Sequence, residues 1–190
     1  MVKSYLATSL KEALEIRGRE SITPYAGGTD LMIEAHDDAS YLFLNKIPEL
    51  KQITVDDEYI RIGAASTFTE VYQSKLVPQI LKDAVIEIAA PAIRNLGTIG
   101  GNICNGSPKG DSVLIFFATD SKLRLASSKG ERILPIKDFY LGRKKLAIQD
   151  DELLVEILMS KTGLDNYYYK KIGARNALAI SRVSFAGVLD

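Results

Sequence analysis

Two Gly-Gly pairs place the tightest constraint on this chain. They lie in Pro24-Tyr25-Ala26-Gly27-Gly28-Thr29-Asp30-Leu31-Met32 and in Thr98-Ile99-Gly100-Gly101-Asn102-Ile103-Cys104-Asn105. Each sits between an apolar, strand-like run and a segment able to form a helix or a strand. Paired glycines allow positive φ and leave no Cβ between the backbone and a ligand. Successive amide N–H groups can then converge on an anion, helped by the positive end of a helix dipole. Thr29, Asp30, Thr98, Asn102 and Asn105 add hydroxyl, carboxylate and amide groups. Two such segments suit a ligand with two adjacent phosphates. Read singly, each is equally well a tight turn. Neither is followed by Gly-Lys-Ser/Thr, and neither reads Gly-x-Gly-x-x-Gly, so a P-loop and a Rossmann pyrophosphate turn are not expected.

The remaining composition narrows the chemistry. The 190 residues carry 24 Lys+Arg and 24 Asp+Glu, for a net charge of zero. A non-specific nucleic-acid binder needs excess positive charge to displace counterions from phosphates, so that class is not expected. No apolar run approaches the roughly 18 residues of a membrane span. The opening residues lack an apolar core followed by a small-residue cleavage site, so no signal peptide is read and a cytoplasmic protein is expected. The single cysteine, Cys104, cannot make an internal disulfide, a four-cysteine zinc site or an iron–sulfur cluster. The single histidine, His36, lacks a Gly-x-Ser-x-Gly elbow and reads as a solvated residue at a helix end. Redox chemistry here would need an organic cofactor.

Ser9 and Glu12 form a capping-box pattern ahead of the apolar stripe Leu10, Ala13, Leu14 and Ile16, with Gly18 closing the helix. Residues 21–26 read as a short strand, 30–35 as a brief helix and 41–44 as a buried strand. Residues 53–64 read as a hairpin turning at Asp56-Asp57-Glu58. Thr67 and Glu70 form a second capping box, Pro78 divides the helical stretch that follows, and Leu81, Val85 and Ile88 supply an apolar face. Residues 91–111 form a segment rich in Gly, Asn and Pro. Residues 113–118 fit a buried helix or strand. Strands are expected at 123–126, 132–134, 153–158 and 167–172, and the chain stops within another strand-like run. The pattern indicates an α+β protein with a small first lobe and a larger sheet lobe.

The strings YAGGTDLMIE, IRIGAASTFTEV, AAPAIRNLGTIGGNICNGSPKGDS and YYYKKIGARNALAISRVSFAG resemble, in order along essentially the whole chain, the FAD-binding subunits of molybdenum hydroxylases, the xanthine dehydrogenase family. The resemblance implies the two-lobed FAD-binding fold of the vanillyl-alcohol oxidase and UDP-enolpyruvylglucosamine reductase type, with a truncated C-terminal domain. The divisions would be residues 1–56 as an N-terminal α/β lobe, 57–165 as the larger α+β lobe, and 166–190 as the start of an incomplete C-terminal domain. It implies non-covalent FAD, with Tyr25, Ala26, Gly27, Gly28, Thr29, Asp30 and Leu31 around the pyrophosphate. Thr98, Gly101, Asn102, Cys104 and Asn105 would meet the flavin side. Asp111 would bond the sugar-like chain, Ile93 and Leu154 would be apolar contacts, and Lys170 would stand near the flavin.

No catalytic residue and no metal ligand is implied for this chain. Molybdopterin would sit on a large partner subunit, the [2Fe–2S] clusters on a small one, and NAD+ would be the acceptor. Gly110 departs from relatives that have serine there, which removes one hydroxyl. Plainer readings stand beside these. Asp111 also fits a helix cap, Cys104 a small buried hydrophobe, Lys170-Lys171 a solvated pair, residues 167–169 simple packing and Arg175 a subunit contact. A stand-alone flavoenzyme of the same fold and a flavin-free scaffold or nucleotide-sensing subunit are the alternatives.

Overall fold

The computed structural model describes residues 3–33, 38–175 and 178–189. His36 lies outside them. The first strand β1 (Ser4–Leu6) leads through helix α1 (Leu10–Arg19) to β2 (Thr23–Tyr25), and a 3-10 helix at Leu31–Ile33 precedes β3 (Tyr41–Phe43). These strands form a parallel sheet in the order β1-β3-β2. Parallel strands need crossover connections, and α1 supplies the one from β1 to β2, which flank β3. Ser9 caps α1 by accepting from the Glu12 N–H, while the Glu12 carboxylate reaches back to the Thr8 N–H at 2.8 Å. Gly18 does not end this helix. It continues to Arg19, and Gly18 is instead a point of close approach: a Cβ there would stand 2.9 Å from Ser128 Oγ. Ala13 and Ile16 pack against Ala7, Ile22, Leu42, Leu44, Ile47 and Leu50 to make a first core.

The second sheet begins at β4 (Ile53–Val55) and β5 (Tyr59–Gly63). The hairpin between them turns where expected, with Asp56 Oδ1 accepting from the N–H groups of Glu58 and Tyr59. A boundary at residue 56 would assign β4 to the first lobe, but β4 pairs with β5 in the larger sheet. Strands β6 (Lys122–Ser127) and β7 (Gly130–Pro135) form a second hairpin. A small hairpin, β8 (Tyr140–Gly142) and β9 (Lys145–Leu146), had no counterpart in the sequence reading. Strand β10 (Leu153–Ser160) then enters the middle of the sheet, giving the antiparallel order β4-β5-β10-β6-β7. Leu153 and Val155 on β10 join the first core, whereas Leu154, Ile157 and Met159 join the second. One strand buried on both faces thus ties the two cores together, and its apolar sequence, interrupted at Glu156, follows from that position.

Helices α2 (Phe68–Gln73), α3 (Gln79–Ile86), α5 (Ile99–Cys104) and α6 (Asp111–Ala118) contribute to the second core through residues such as Phe68, Leu81, Val85, Ile103 and Phe116, whereas the short α4 (Pro91–Arg94) buries none of its residues. The Thr67–Glu70 capping box forms completely, with the Thr67 N–H donating to Glu70 at 2.7 Å. Removing such a cap costs about 1 kcal/mol. Pro78 separates α2 from α3 and caps the latter. The segment rich in Gly, Asn and Pro, residues 91–111, holds α4 and α5. Tertiary packing of Ile99 and Ile103 outweighs the low helix propensity of two glycines there. Finally β11 (Tyr167–Gly173) and β12 (Ser181–Val188) pair as an antiparallel ribbon that packs on α3 and α6.

Candidate functional site

The two glycine pairs meet across one cleft of about 660 Å³. That volume lies within the roughly 300–1,000 Å³ typical of small-molecule and cofactor sites. The first segment is a true loop. Gly28 has φ +70°, and the Tyr25 ring folds back over it, so that a Cβ on Gly28 would stand 2.1 Å from the Tyr25 hydroxyl. Tyr25 is itself fixed by Phe43, with ring centroids 4.7 Å apart. Gly27 faces the other way: a Cβ there would stand 2.0 Å from the Leu96 carbonyl oxygen. The backbone of the first segment therefore lies directly against residues 96–97. The Met32 N–H donates to the Gly28 carbonyl at 3.0 Å and starts the 3-10 helix.

The second segment is the first turn of α5, not a loop. Thr98 is its N-cap, accepting from the Gly101 N–H at 3.1 Å. The approach to this turn is zipped along residues 64–68. The Phe68 N–H donates to the Gly97 carbonyl, Ile99 donates to Ser66, and Gly100 donates to Ala64 at 2.8 Å. Gly100 has no room for a side chain, since its Cβ would stand 2.6 Å from the Ala64 Cβ. At Gly101 only the Thr98 hydroxyl, at 2.8 Å, would be met. The two segments are bridged by Asn105 Nδ2 donating to Asp30 Oδ2 at 3.2 Å.

Of the residues singled out from the sequence, Ala26, Gly27, Gly28, Thr29, Asp30, Leu31, Thr98, Gly101, Asn102, Cys104, Asn105 and Leu154 line the cleft. Four do not. Tyr25 stands behind Gly28, and Ile93 lies on α4, away from the wall. Lys170 is exposed on β11, and strand alternation turns its neighbour Lys171 inward instead. Asp111 is buried at the start of α6, one residue past its N-cap Gly110. Its Oδ2 accepts from Lys171 Nζ at 2.8 Å, and its Oδ1 accepts from Ser181 Oγ and, at 3.3 Å, from Ser184 Oγ. Lys171 also donates to the Glu87 carbonyl at 2.8 Å. Both carboxylate oxygens are thus bonded to the β11–β12 ribbon, and Asp111 is neither a cofactor-facing group nor the N-cap in this arrangement. A one-residue offset on an alternating strand had no local signal in Lys170-Lys171; the face shared by Tyr167, Tyr169 and Lys171 was the available clue.

Sequence reasoning missed other wall residues. Arg17 comes from α1, and Arg143 and Lys144 form the β8–β9 turn. That turn rests on the end of α5, where Gly106 has φ +64° and a Cβ would stand 3.1 Å from the Lys144 Cα. The Tyr140 hydroxyl donates to the Ile103 carbonyl at 3.0 Å and fastens the hairpin there. Glu152 also lines the cleft, held at both oxygens by Arg132 at 2.7 and 2.8 Å. Cys104 packs against the second core, and burial pushes its thiol up to about 12. It therefore stays protonated at neutral pH and has no thiolate to offer a metal or an electrophile. No group of His, Cys, Asp and Glu that could hold a metal occurs among the described residues, and no helix among them is long and apolar enough to cross a membrane.

Residues 1–159 match the family described as the FAD binding domain in molybdopterin dehydrogenase, and the chain belongs to that family. Among its relatives, the xanthine dehydrogenase FAD-binding subunit of Escherichia coli O157:H7 is 38% identical over 138 residues, covering 68% of this chain and 47% of the relative. The nicotinate dehydrogenase FAD-subunit of Eubacterium barkeri is 34% identical over 167 residues, covering 82% of this chain and 56% of that one. The chain thus spans about half the length of these relatives. The solved structure of reconstituted CO dehydrogenase from Oligotropha carboxidovorans superposes with a TM-score of 0.91 at 26% identity, over 98% of this chain and 68% of that chain. The residues present suit the family's cofactor. Side-chain-free backbone at Gly27, Gly28 and Gly101, a helix start at Thr98 and amides at Asn102 and Asn105 all open onto one cleft.

Proposed function

We propose that this chain binds FAD without a covalent link and serves as the flavin-holding part of a molybdenum-containing hydroxylase. The observation that carries this reading is the convergence of the two Gly-Gly segments, 73 residues apart in sequence, on one cleft. FAD, when bound, would supply the redox chemistry that the chain's own side chains lack. The backbone amides of the Gly27–Gly28 loop are suited to the pyrophosphate. Thr98, Gly101, Asn102 and Asn105 are suited to polar atoms further along the cofactor, and Leu154 to an apolar face. Glu152 and Asp30 already hold partners in the protein, so their charges are partly satisfied before any ligand arrives.

On this reading the fold is the two-lobed vanillyl-alcohol oxidase and UDP-enolpyruvylglucosamine reductase type. The first core with its parallel sheet is one lobe and the antiparallel sheet with α2–α6 is the other. The β11–β12 ribbon opens a third unit. Electrons reach the flavin from [2Fe–2S] clusters on a small partner subunit, themselves reduced by a molybdopterin-binding large subunit, and leave to NAD+ in the cytoplasm. One cysteine cannot hold a cluster, which supports placing the clusters on a partner. The test is the visible spectrum of the purified protein, followed by acid precipitation. An oxidised-flavin spectrum whose colour passes entirely into the supernatant, and which chromatographs as FAD, is expected. A colourless protein that takes up no FAD, or flavin retained in the precipitate, would overturn the reading. Co-purification of molybdenum and iron with the complete complex tests the partners.

A further inference from the structure

Asp111 turns to the ribbon, but the next residue turns to α5. Ser112 is fully buried in the first turn of α6, in a helix otherwise filled with Val113, Ile115 and Phe116. Its hydroxyl donates to Asn102 Oδ1 at 2.8 Å. Asn102 belongs to α5 and lines the cleft. Gly110 stands beside the same oxygen, since a Cβ there would lie 3.2 Å from Asn102 Oδ1. The carbonyl end of the amide therefore sits against α6, between Gly110 and Ser112. Among the described residues the amide nitrogen of Asn102 has no protein partner.

The two ends of an asparagine amide have nearly the same shape, and the bonds they make decide which end faces where. With the oxygen against Ser112, both amide N–H groups remain for the cleft. Turned over, the NH2 would meet Ser112 Oγ with one hydrogen and leave the other facing Gly110, which has no side chain to accept it. A carbonyl would then face the cleft and repel any acceptor oxygen there.

We propose that Ser112 is a positioning residue that holds Asn102 as a hydrogen-bond donor to an acceptor oxygen of the bound cofactor. The inference rests on the reading that the cleft takes FAD. A phosphate oxygen and a flavin carbonyl share the required chemistry.

The experiment is a double-mutant cycle on apoprotein: wild type, Ser112→Ala, Asn102→Ala and the double variant, titrated with FAD by flavin fluorescence. Apo melting temperatures are recorded in parallel. Ser112→Ala should weaken FAD binding about tenfold, the effect of one lost hydrogen bond together with an amide free to turn. In the Asn102→Ala background the same change should alter FAD affinity by less than about twofold, because the group it positions is gone. Asn102→Asp, which replaces the donors with a charged acceptor, should lose more than Asn102→Ala. Titrations with ADP and with riboflavin assign the acceptor: a loss shared by ADP places it on phosphate, and one shared by riboflavin places it on the flavin, both in support. Unchanged FAD affinity in Ser112→Ala, or an equal loss in both backgrounds, would overturn the proposal and leave Ser112 a packing residue. A wild-type protein that does not bind FAD would instead overturn the proposed function, and is read before any variant.

Discussion

The two Gly-Gly pairs look alike as sequence and differ as structure. The first is a loop in which one glycine takes positive φ and the other lets two backbones touch. The second lies inside a helix, where one glycine admits the Ala64 backbone and the other leaves the helix's outer surface bare. Glycine thus serves close approach in both, but left-handed backbone in only one. The identical dipeptide does not report which, because deciding atoms such as Leu96 O and Ala64 Cβ come from elsewhere in the chain.

Substitutions can break this comparison. The largest effect is expected at Gly27. A carbonyl oxygen 2.0 Å from the new Cβ cannot rotate away, so Gly27→Ala should destabilise the apoprotein by about 3 kcal/mol and separate the two segments. Chemical denaturation of apoprotein measures it, and a loss below about 1 kcal/mol would show that the apposition is loose. At Gly28 the cost has two parts, a left-handed backbone of about 1 kcal/mol and collision with the Tyr25 ring. Gly28→Ala should cost about 2 kcal/mol, and adding Tyr25→Ala should make the substitution cheaper by the collision part alone. If the second change recovers nothing, ligand space rather than Tyr25 is what Gly28 protects.

Smaller effects are expected in the second segment. Thr98→Ala removes the cap of α5 and should cost about 1 kcal/mol in the same assay. Gly101→Ala should be nearly neutral in apoprotein, within about 0.5 kcal/mol. Its gain in helix propensity of about 1 kcal/mol is offset by pushing the Thr98 hydroxyl off the cap. Its FAD affinity should nevertheless fall, and a variant normal in both respects would show that Gly101 does not face the cofactor. Smallest of all, Cys104→Ser should leave flavin binding unchanged. The wild-type thiol should react only slowly with alkylating reagents at pH 8, since burial keeps it protonated.

Much of the framework was legible because its signals are local. The Thr67–Glu70 capping box, the turn at Asp56, the break at Pro78 and the apolar stripe of α1 each depend on residues within one or two turns of each other. The cleft wall was legible largely through the glycines and their neighbours: twelve of the sixteen residues singled out line it. The misses share a cause. Helix α5 forms against its glycines because Ile99 and Ile103 are buried by distant strands. The β8–β9 turn with Arg143 and Lys144 enters the wall only because Tyr140 is fastened to α5.

Asp111 and Ser112 show the division most sharply. By itself the sequence determined that an apolar helix or strand follows them, that a carboxylate and a hydroxyl stand side by side there, and that two glycine segments could serve either as tight turns or as an anion site. Only the tertiary structure decided that Lys171, Ser181 and Ser184 take the carboxylate, while the hydroxyl goes to Asn102 on the cleft. Adjacent residues in a helix's first turn point about 100° apart. What each one meets there is set by whichever elements pack on either side, and those come from residues up to 73 positions away.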